Sequence, residues 1–212
     1  MHIPDGFLPP SICITGYALT GGVTWYCLRQ IQRDRDISAN IPKASLLTAA
    51  FFVASLIHIP IPPTSIHLIF NGLMGAILGY YAFPAILIGL FFQAVMFQHG
   101  GMSTLGVNAI IIGSPSIAGY YLFQQRERLG KEKPIVTTIL SFATGAGALL
   151  LSAAMFAILL VTNISPDMDA NVERTAIFIS LGGYSIQAAI EGVFTVMLIS
   201  FLEKVKPELL RP

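Results

Sequence analysis

Charged side chains are scarce in this sequence. Asp, Glu, Lys and Arg make up only 11% of its 212 residues, whereas about 25% is usual in a soluble domain. Hydrophobic residues make up 54%, the net charge is +1, and no basic run is present. This composition predicts a multi-pass membrane protein in contact with lipid, and it gives no indication of nucleic-acid binding.

Motifs for nucleotide hydrolysis, proteolysis and thiol chemistry are also missing. No GxxxxGKS/T sequence occurs, so the chain is not expected to hydrolyse ATP through a P-loop, and no HExxH sequence indicates a zinc protease. The only cysteines, Cys13 and Cys27, lie in one apolar run. As a helix this run would separate them by about 21 Å along its axis, too far for a disulfide. The lack of a CxxC pair also argues against a thiolate metal site.

The chain does contain seven apolar runs, at 10–29, 44–59, 66–82, 84–98, 102–123, 135–162 and 175–202. They predict an all-α membrane protein, a bundle of seven transmembrane helices that forms a single domain, residues 1–212. A straight span needs about 20 residues, so the second, third and fourth runs are expected to be interior, tilted or broken helices. The boundary between the third and fourth runs is expected near Pro84.

The distribution of basic residues predicts the direction of these spans. Eleven of the twelve Lys and Arg residues lie in the 29–43 loop, the 124–134 loop and the tail after residue 202. Arg174 alone lies in a loop on the other side. By the positive-inside rule, the N-terminus is expected outside and the C-terminus in the cytoplasm. This orientation also brings all four histidines to the outer face: His2, His58, His67 and His99.

The start of the chain offers three nitrogen atoms to one metal ion. The first basic residue is Arg29, so no positively charged leader region is recognisable and the N-terminus is interpreted as mature. The Met1 α-amine, the amide nitrogen of His2 and the His2 ring can form two fused chelate rings. A fourth nitrogen would complete the tetragonal geometry that Ni(II) or Cu(II) prefers.

His67 is the preferred candidate for this fourth ligand, because it opens the third predicted span at the outer face. His58 is interpreted as an interfacial structural residue, and His99, in the turn Gln98-His99-Gly100-Gly101, as a residue that fixes the loop or supports a ligand. Metal-bound imidazoles usually donate their other N–H to a partner. The candidate supporting residues are Asp5, Thr64, Ser65, His99 and Asn108.

Glu191 is a carboxylate within the seventh apolar run. One interpretation is a proton relay for transport. The preferred interpretation is a structural side chain that accepts hydrogen bonds from neighbouring helices or stays protonated. Gln187 lies one helical turn earlier on the same face and could pair with it.

Four segments of the chain together resemble the NikM/CbiM family, the substrate-binding membrane (S) component of nickel and cobalt energy-coupling factor transporters. They are residues 1–8 (MHIPDGFL), 64–68 (TSIHL), 93–108 (with QHGG and TLGVN) and 190–192 (IEG). The first two segments together are the specific part of the resemblance, and the four are spread over nearly the whole chain.

The resemblance implies a seven-helix fold in a prokaryotic cell membrane, with the N-terminal loop folded back into an outer metal pocket. Its metal ligands would be Met1, His2 and His67. The transported substrate would be Ni(II) or Co(II), no organic cofactor is expected, and the chain itself would not be an enzyme. The implied partners are a transmembrane coupling protein and separate ATPase subunits, with a small accessory membrane protein left open.

Nickel is preferred over cobalt on two grounds. The start Ile3-Pro4-Asp5 resembles the nickel branch, whereas cobalt members often have Met-Glu where this chain has Pro4-Asp5. Binding through a deprotonated amide in a tetragonal field also suits Ni(II) better than Co(II). Cobalt uptake for cobalamin synthesis stays open, as do two other classes: a membrane oxidoreductase with a histidine-ligated cofactor, and a structural or assembly protein without stoichiometric metal.

Overall fold

The computed structural model describes residues 1–34, 37–61, 64–130, 133–164 and 169–210, without the side chains of residues 39, 58–61, 64–66 and 170. Within these ranges the chain forms seven α-helices and one pair of short strands. In chain order the elements are α1 (Pro10–Ile31), α2 (Ile37–Ala54), β1 (His58–Ile61), β2 (Thr64–His67), α3 (Asn71–Leu78), α4 (Ala82–Phe97), α5 (Leu105–Leu129), α6 (Pro134–Thr162) and α7 (Ala170–Val205). Short 3-10 turns follow α3 and α7, at Gly79–Tyr81 and Pro207–Leu210. The predicted helical membrane-protein fold is confirmed, with the strand pair as an addition.

Local sequence explains where several helices begin. Pro10 and Pro134 occupy the first turns of α1 and α6, where the N–H that proline lacks would have no intrahelical partner. Asp169 caps α7, because its carboxylate accepts a hydrogen bond from the N–H of Asn171 at 2.9 Å.

Four stretches are long and apolar enough to cross a membrane, judged by length and composition: Asn71–Phe97, Leu105–Leu129, Pro134–Thr162 and Asn171–Val205. Asn40–Ala54 is a shorter apolar helix. The number of crossings and the orientation of the termini therefore stay predictions.

The stretch Asn71–Phe97 is not one straight helix. Gly79 has φ 56° and ψ −126°, a backbone conformation that other residues rarely adopt, and it ends α3. The rings of His67, before α3, and His99, after α4, lie 5.0 Å apart between their centroids. The two helices therefore run in opposite directions, and the chain turns a few residues before Pro84.

Residues 55–70 differ from the sequence prediction. α2 ends at Ala54 instead of residue 59, and α3 begins at Asn71 instead of residue 66. Between them β1 and β2 pair in antiparallel register with His58 opposite His67. The prolines at positions 60, 62 and 63 cannot continue a helix, while Ile and Thr favour extended backbone. His67 therefore ends a strand and does not begin a helix.

The short helix α3 lies at the centre of the bundle. All eight of its residues are buried, and its first residue, Asn71, donates hydrogen bonds to Ser152 Oγ at 2.8 Å and to the Ile112 carbonyl at 2.9 Å. The longer helices α6 and α7 instead expose large apolar side chains such as Ile158 and Phe178, as expected for a surface that faces lipid. The first turn of α3, close after His67, is thus fixed in the core.

Candidate metal centre

Three histidines from separate parts of the chain meet at one place. The ring centroids of His2 and His67 lie 4.9 Å apart, those of His2 and His99 4.2 Å, and those of His67 and His99 5.0 Å. One ring nitrogen of each lies within 4.8 Å of the others. His2 Nδ1 and His67 Nε2 lie 3.1 Å apart. These nitrogens can therefore converge on a single metal ion.

The first turn of α5 holds the N-terminal segment against this cluster. Asn108 forms two hydrogen bonds with the backbone of Ile3: its Oδ1 accepts from the Ile3 N–H at 2.9 Å, and its Nδ2 donates to the Ile3 carbonyl at 3.0 Å. The Thr104 hydroxyl donates to the same carbonyl at 2.6 Å. Met1 and Ile3 are only 5% and 1% exposed. Asn108 therefore acts on the backbone beside His2 and not on its ring.

Asp5 fixes the same segment a few residues further along. Its carboxylate accepts hydrogen bonds from the N–H groups of Met102 at 3.1 Å and Ser103 at 2.7 Å, and from the Ser103 hydroxyl at 2.5 Å. The bond from the Ser103 hydroxyl is the main reason that the pKa of Asp5 is lowered. A Cβ on Gly101 would lie 2.3 Å from Asp5 Oδ1, so only glycine allows this approach.

A chain of hydrogen bonds sets the protonation of the His2 ring. The Ser55 hydroxyl donates to the Phe52 carbonyl at 2.8 Å, so it accepts from Gln93 Nε2 at 2.7 Å. Gln93 Oε1 then faces His2 Nε2 at 2.9 Å. This direction assigns the proton to Nε2 of His2 and leaves the Nδ1 lone pair pointing at His67.

Gln93 is a site residue that the sequence analysis did not single out. It is completely buried, and its backbone carbonyl also accepts the N–H of His99 at 3.1 Å. A glutamine in the middle of the apolar fourth run was the available signal, since a buried polar group in a membrane helix needs a partner.

Burial keeps the nitrogens of the N-terminal segment unprotonated. The pKa of the Met1 α-amine falls from its usual 8.0 to about 5 because the amine is buried. The pKa of His2 falls well below 6.5, first because of burial and then because of the nearby His67 ring. At neutral pH both groups therefore have lone pairs available for a cation.

Side chains of α7 hold the segment that follows His67. Glu191 accepts hydrogen bonds from the N–H groups of Ile69 at 2.7 Å and Phe70 at 2.8 Å. Gln187 donates to the His67 carbonyl at 2.6 Å and to Glu191 at 2.9 Å. The preferred interpretations of Glu191 as a hydrogen-bond acceptor and of Gln187 as its pair therefore agree with the structure.

The structure describes the side chains of only some of the remaining candidate site residues. The side chains of His58, Thr64 and Ser65 lie outside the described part of the structure, so the supporting roles considered for them stay predictions. His99 is within reach of the cluster, with its ring 4.2 Å from that of His2.

Comparison with known proteins places this chain in a family. The sequence profile of CbiM, the cobalt uptake substrate-specific transmembrane region, matches residues 2–209. The chain belongs to this family. The resemblance drawn from the N-terminal and His67 segments is thereby confirmed, and the chain is a multi-pass membrane component of a metal-transport family.

The relatives carry names from both nickel and cobalt transport. The fused nickel transport protein NikMN of Rhodobacter capsulatus is 29% identical over the whole chain, which covers 64% of that protein. A Methanocaldococcus jannaschii protein named for cobalt transport, CbiM, is 30% identical over 99% of this chain and 90% of its own length. A Haemophilus influenzae protein named for metal transport is 39% identical over 59% of each chain. The chain thus spans less than two thirds of the Haemophilus and Rhodobacter relatives.

A solved structure has the same fold. The crystal structure of a truncated transition metal transporter superposes with a TM-score of 0.76, covering 96% of this chain and 99% of that one at 23% identity.

Proposed function

We propose that this chain is the metal-capture subunit of an ATP-driven importer, with Ni(II) as the preferred substrate and Co(II) as the alternative. The ligands are the Met1 α-amine, the amide and Nδ1 nitrogens of His2, and Nε2 of His67. The observation that carries the proposal is the 3.1 Å approach of His2 Nδ1 to His67 Nε2, while the other ring nitrogen of His2 is engaged by Gln93.

The spacing of these two nitrogens suits a shared ion. Two nitrogens about 2.0 Å from a metal and at right angles to each other are about 2.8 Å apart. The metal-free separation of 3.1 Å differs from this by only a few tenths of an ångström. Without metal, the proton assigned to His2 lies on Nε2, so His67 Nε2 donates to His2 Nδ1. When the ion binds at His67 Nε2, this proton moves to His67 Nδ1, which faces the Leu68 carbonyl at 3.5 Å. The amine and amide of the first two residues then occupy the remaining positions through the chelate rings.

The donor set favours nickel. A deprotonated backbone amide in a tetragonal field suits Ni(II) better than Co(II), and Zn(II) prefers tetrahedral sites. Relatives of similar identity are named for nickel and for cobalt transport, so the preference for nickel rests on the donor set.

The wider transport scheme is also part of the proposal. Residues 1–212 act as one S-component domain with the N-terminus outside and the C-terminus in the cytoplasm. The N-terminal segment then closes over an outer site. A coupling protein in the membrane and separate ATPase subunits drive release inward, and the fused name of the Rhodobacter relative supports assembly with further membrane subunits.

Metal analysis of the purified full chain tests this proposal. One Ni(II) or Co(II) per chain is expected, with strongly weakened binding in His67→Ala and a smaller loss in His99→Ala. Circular dichroism checks that both variants remain folded. Unchanged stoichiometry and affinity in His67→Ala would remove His67 from the ligand set, and a larger loss in His99→Ala would show that the ligand is His99 instead.

A further inference from the structure

The segment between β2 and α3 needs hydrogen-bond partners for its backbone. Residues 68–70 lie outside regular secondary structure, so their N–H groups are not satisfied by a helix or a sheet. Both carboxylate oxygens of Glu191 accept hydrogen bonds here, Oε1 from the Ile69 N–H and Oε2 from the Phe70 N–H. Gln187 adds the bond to the His67 carbonyl. Two side chains of α7 thus form hydrogen bonds with the backbone of three of the four residues 67–70.

The backbone of residues 67–70 is strained at one position. Phe70 has φ 55° and ψ 22°, the left-handed conformation that residues with a Cβ rarely adopt. Such a conformation persists only where its surroundings enforce it, and it is concentrated at functional sites. Within the described residues, Gln98 is the other non-glycine residue with positive φ, and it directly precedes His99. Strained backbone therefore lies three residues after His67 and directly before His99.

A carboxylate suits this position better than an amide would. Glu191 and Gln187 are both completely buried. The hydrogen bonds found for Glu191 come from donors, namely two backbone N–H groups and the Gln187 amide. The N–H groups lie at the start of α3, where the helix dipole is positive. The salt bridges found among the described residues involve only Arg126 as the cation.

We propose that Glu191, supported by Gln187, is a positioning residue that sets the His67 ring at the fourth ligand position of the metal site. By accepting the N–H groups of Ile69 and Phe70, it fixes the strained turn that aims His67 Nε2 at His2 Nδ1. This inference rests on the proposed function, because it gives Glu191 a role only if His67 binds metal.

The test is Ni(II) titration of the full chain in detergent, followed by the visible d–d absorption of the bound ion. In Glu191→Gln an amide NH₂ replaces one acceptor oxygen and opposes a backbone N–H. The affinity should fall by about 10- to 100-fold, the range known for residues that orient metal ligands. The absorption band should shift to that of His67→Ala, because the chelate of the first two residues remains while the fourth ligand changes.

Ser152→Ala is the matched control. It removes a buried hydrogen bond of 2.8 Å to Asn71, the residue next to Phe70, without touching the His67 segment. It should lower the thermal stability of the metal-free protein while keeping the wild-type affinity and spectrum. If Glu191→Gln fails to fold, Gln187→Met is the second test variant. It should show the spectral change expected for Glu191→Gln, with a smaller loss of Ni(II) affinity.

The outcomes separate this inference from the proposed function. Wild-type affinity and spectrum in folded Glu191→Gln, or in Gln187→Met if that is the folded variant, overturn the positioning role even if stability falls. A wild-type chain that binds neither Ni(II) nor Co(II) overturns the proposed function, and this inference with it. Binding by wild type, with the spectral shift in the α7 variants and not in Ser152→Ala, supports both.

Discussion

The two segments that carry His2 and His67 are held by different helices. The His2 segment is held by α5, through the neutral side chains of Asn108 and Thr104 on the backbone of Ile3. The His67 segment is held by α7, through the buried carboxylate of Glu191. A chain start needs its whole path defined, so it is bonded at Ile3 and again at Asp5. The segment between β2 and α3 is short, and Glu191 and Gln187 together bond its backbone at His67, Ile69 and Phe70.

The two side chains that hold the His2 segment, Asn108 and Asp5, differ in their exposure to solvent. Asn108 is buried at 2% exposed, whereas the Asp5 carboxylate lies at the surface. The His2 segment is thus bonded once inside the protein and once in contact with water. Losing a hydrogen bond at a buried position costs more free energy, because the donor and acceptor left behind cannot bond to water instead. The effects of substitution should follow this order.

The largest effect is expected for Asn108→Leu. Leucine has a similar volume but neither accepts the Ile3 N–H nor donates to the Ile3 carbonyl, so both bonds of about 3 Å are lost. The N-terminal segment should then leave the cluster, with a loss in Ni(II) affinity of about 100-fold, the upper end of the range for groups that orient ligands. Isothermal titration calorimetry measures it. Wild-type affinity in a folded Asn108→Leu protein would show that α5 does not hold the His2 segment.

A change in pH is expected to have an intermediate effect on stability, and this effect arises from the Met1 amine and the His2 ring. The pKa of the buried Met1 amine is about 5 instead of 8.0, so between these values the unfolded chain binds more protons than the folded one. The stability of the metal-free protein should therefore fall as pH drops from 8 towards 5. His2, whose pKa is also lowered, adds a loss below pH 6.5. Thermal unfolding as a function of pH measures this.

An N-terminally acetylated chain is the control for this pH effect. It has no amine to titrate, so its stability should decline less over the same range. An identical decline in both chains would contradict the assignment to Met1.

The smallest effect is expected for Asp5→Asn. The amide keeps one acceptor oxygen for the turn at Met102 and Ser103, and the position is open to water. Ni(II) affinity should fall by less than about tenfold, below the range for buried groups that orient ligands. The same titration as for Asn108→Leu gives the comparison. A larger loss in Asp5→Asn than in Asn108→Leu would reverse the order argued from burial.

Part of this site could be predicted from local sequence. The chelating potential of Met1 and His2 follows from covalent geometry alone, so no fold was needed to recognise it. The helical character of the seven apolar runs followed from composition. The strands at 58–61 and 64–67 were missed, because a short apolar run does not distinguish a strand from the end of a helix.

The contacts between distant residues could not be predicted. Glu191 and Ile69 are separated by 122 positions, and His2 and Gln93 by 91. A lone polar residue in an apolar run indicates that it has a partner, but its identity depends on how the helices pack. The sequence therefore named Gln187 as the neighbour of Glu191, one turn away, and could not connect either to His67.

The most direct test of the account compares two forms of the full chain that differ only at the first amine. One has a free Met1 amine, verified by mass spectrometry, and the other carries an acetyl group on that amine. Acetylation turns the Met1 amine into an amide and removes it as a ligand, while the three histidines and their supporting side chains remain unchanged. We predict that the acetylated chain binds Ni(II) at least about 100-fold more weakly, as expected when a ligand itself is lost. Equal affinities would show that the α-amine is not a ligand, and the tetragonal site proposed for nickel would be wrong.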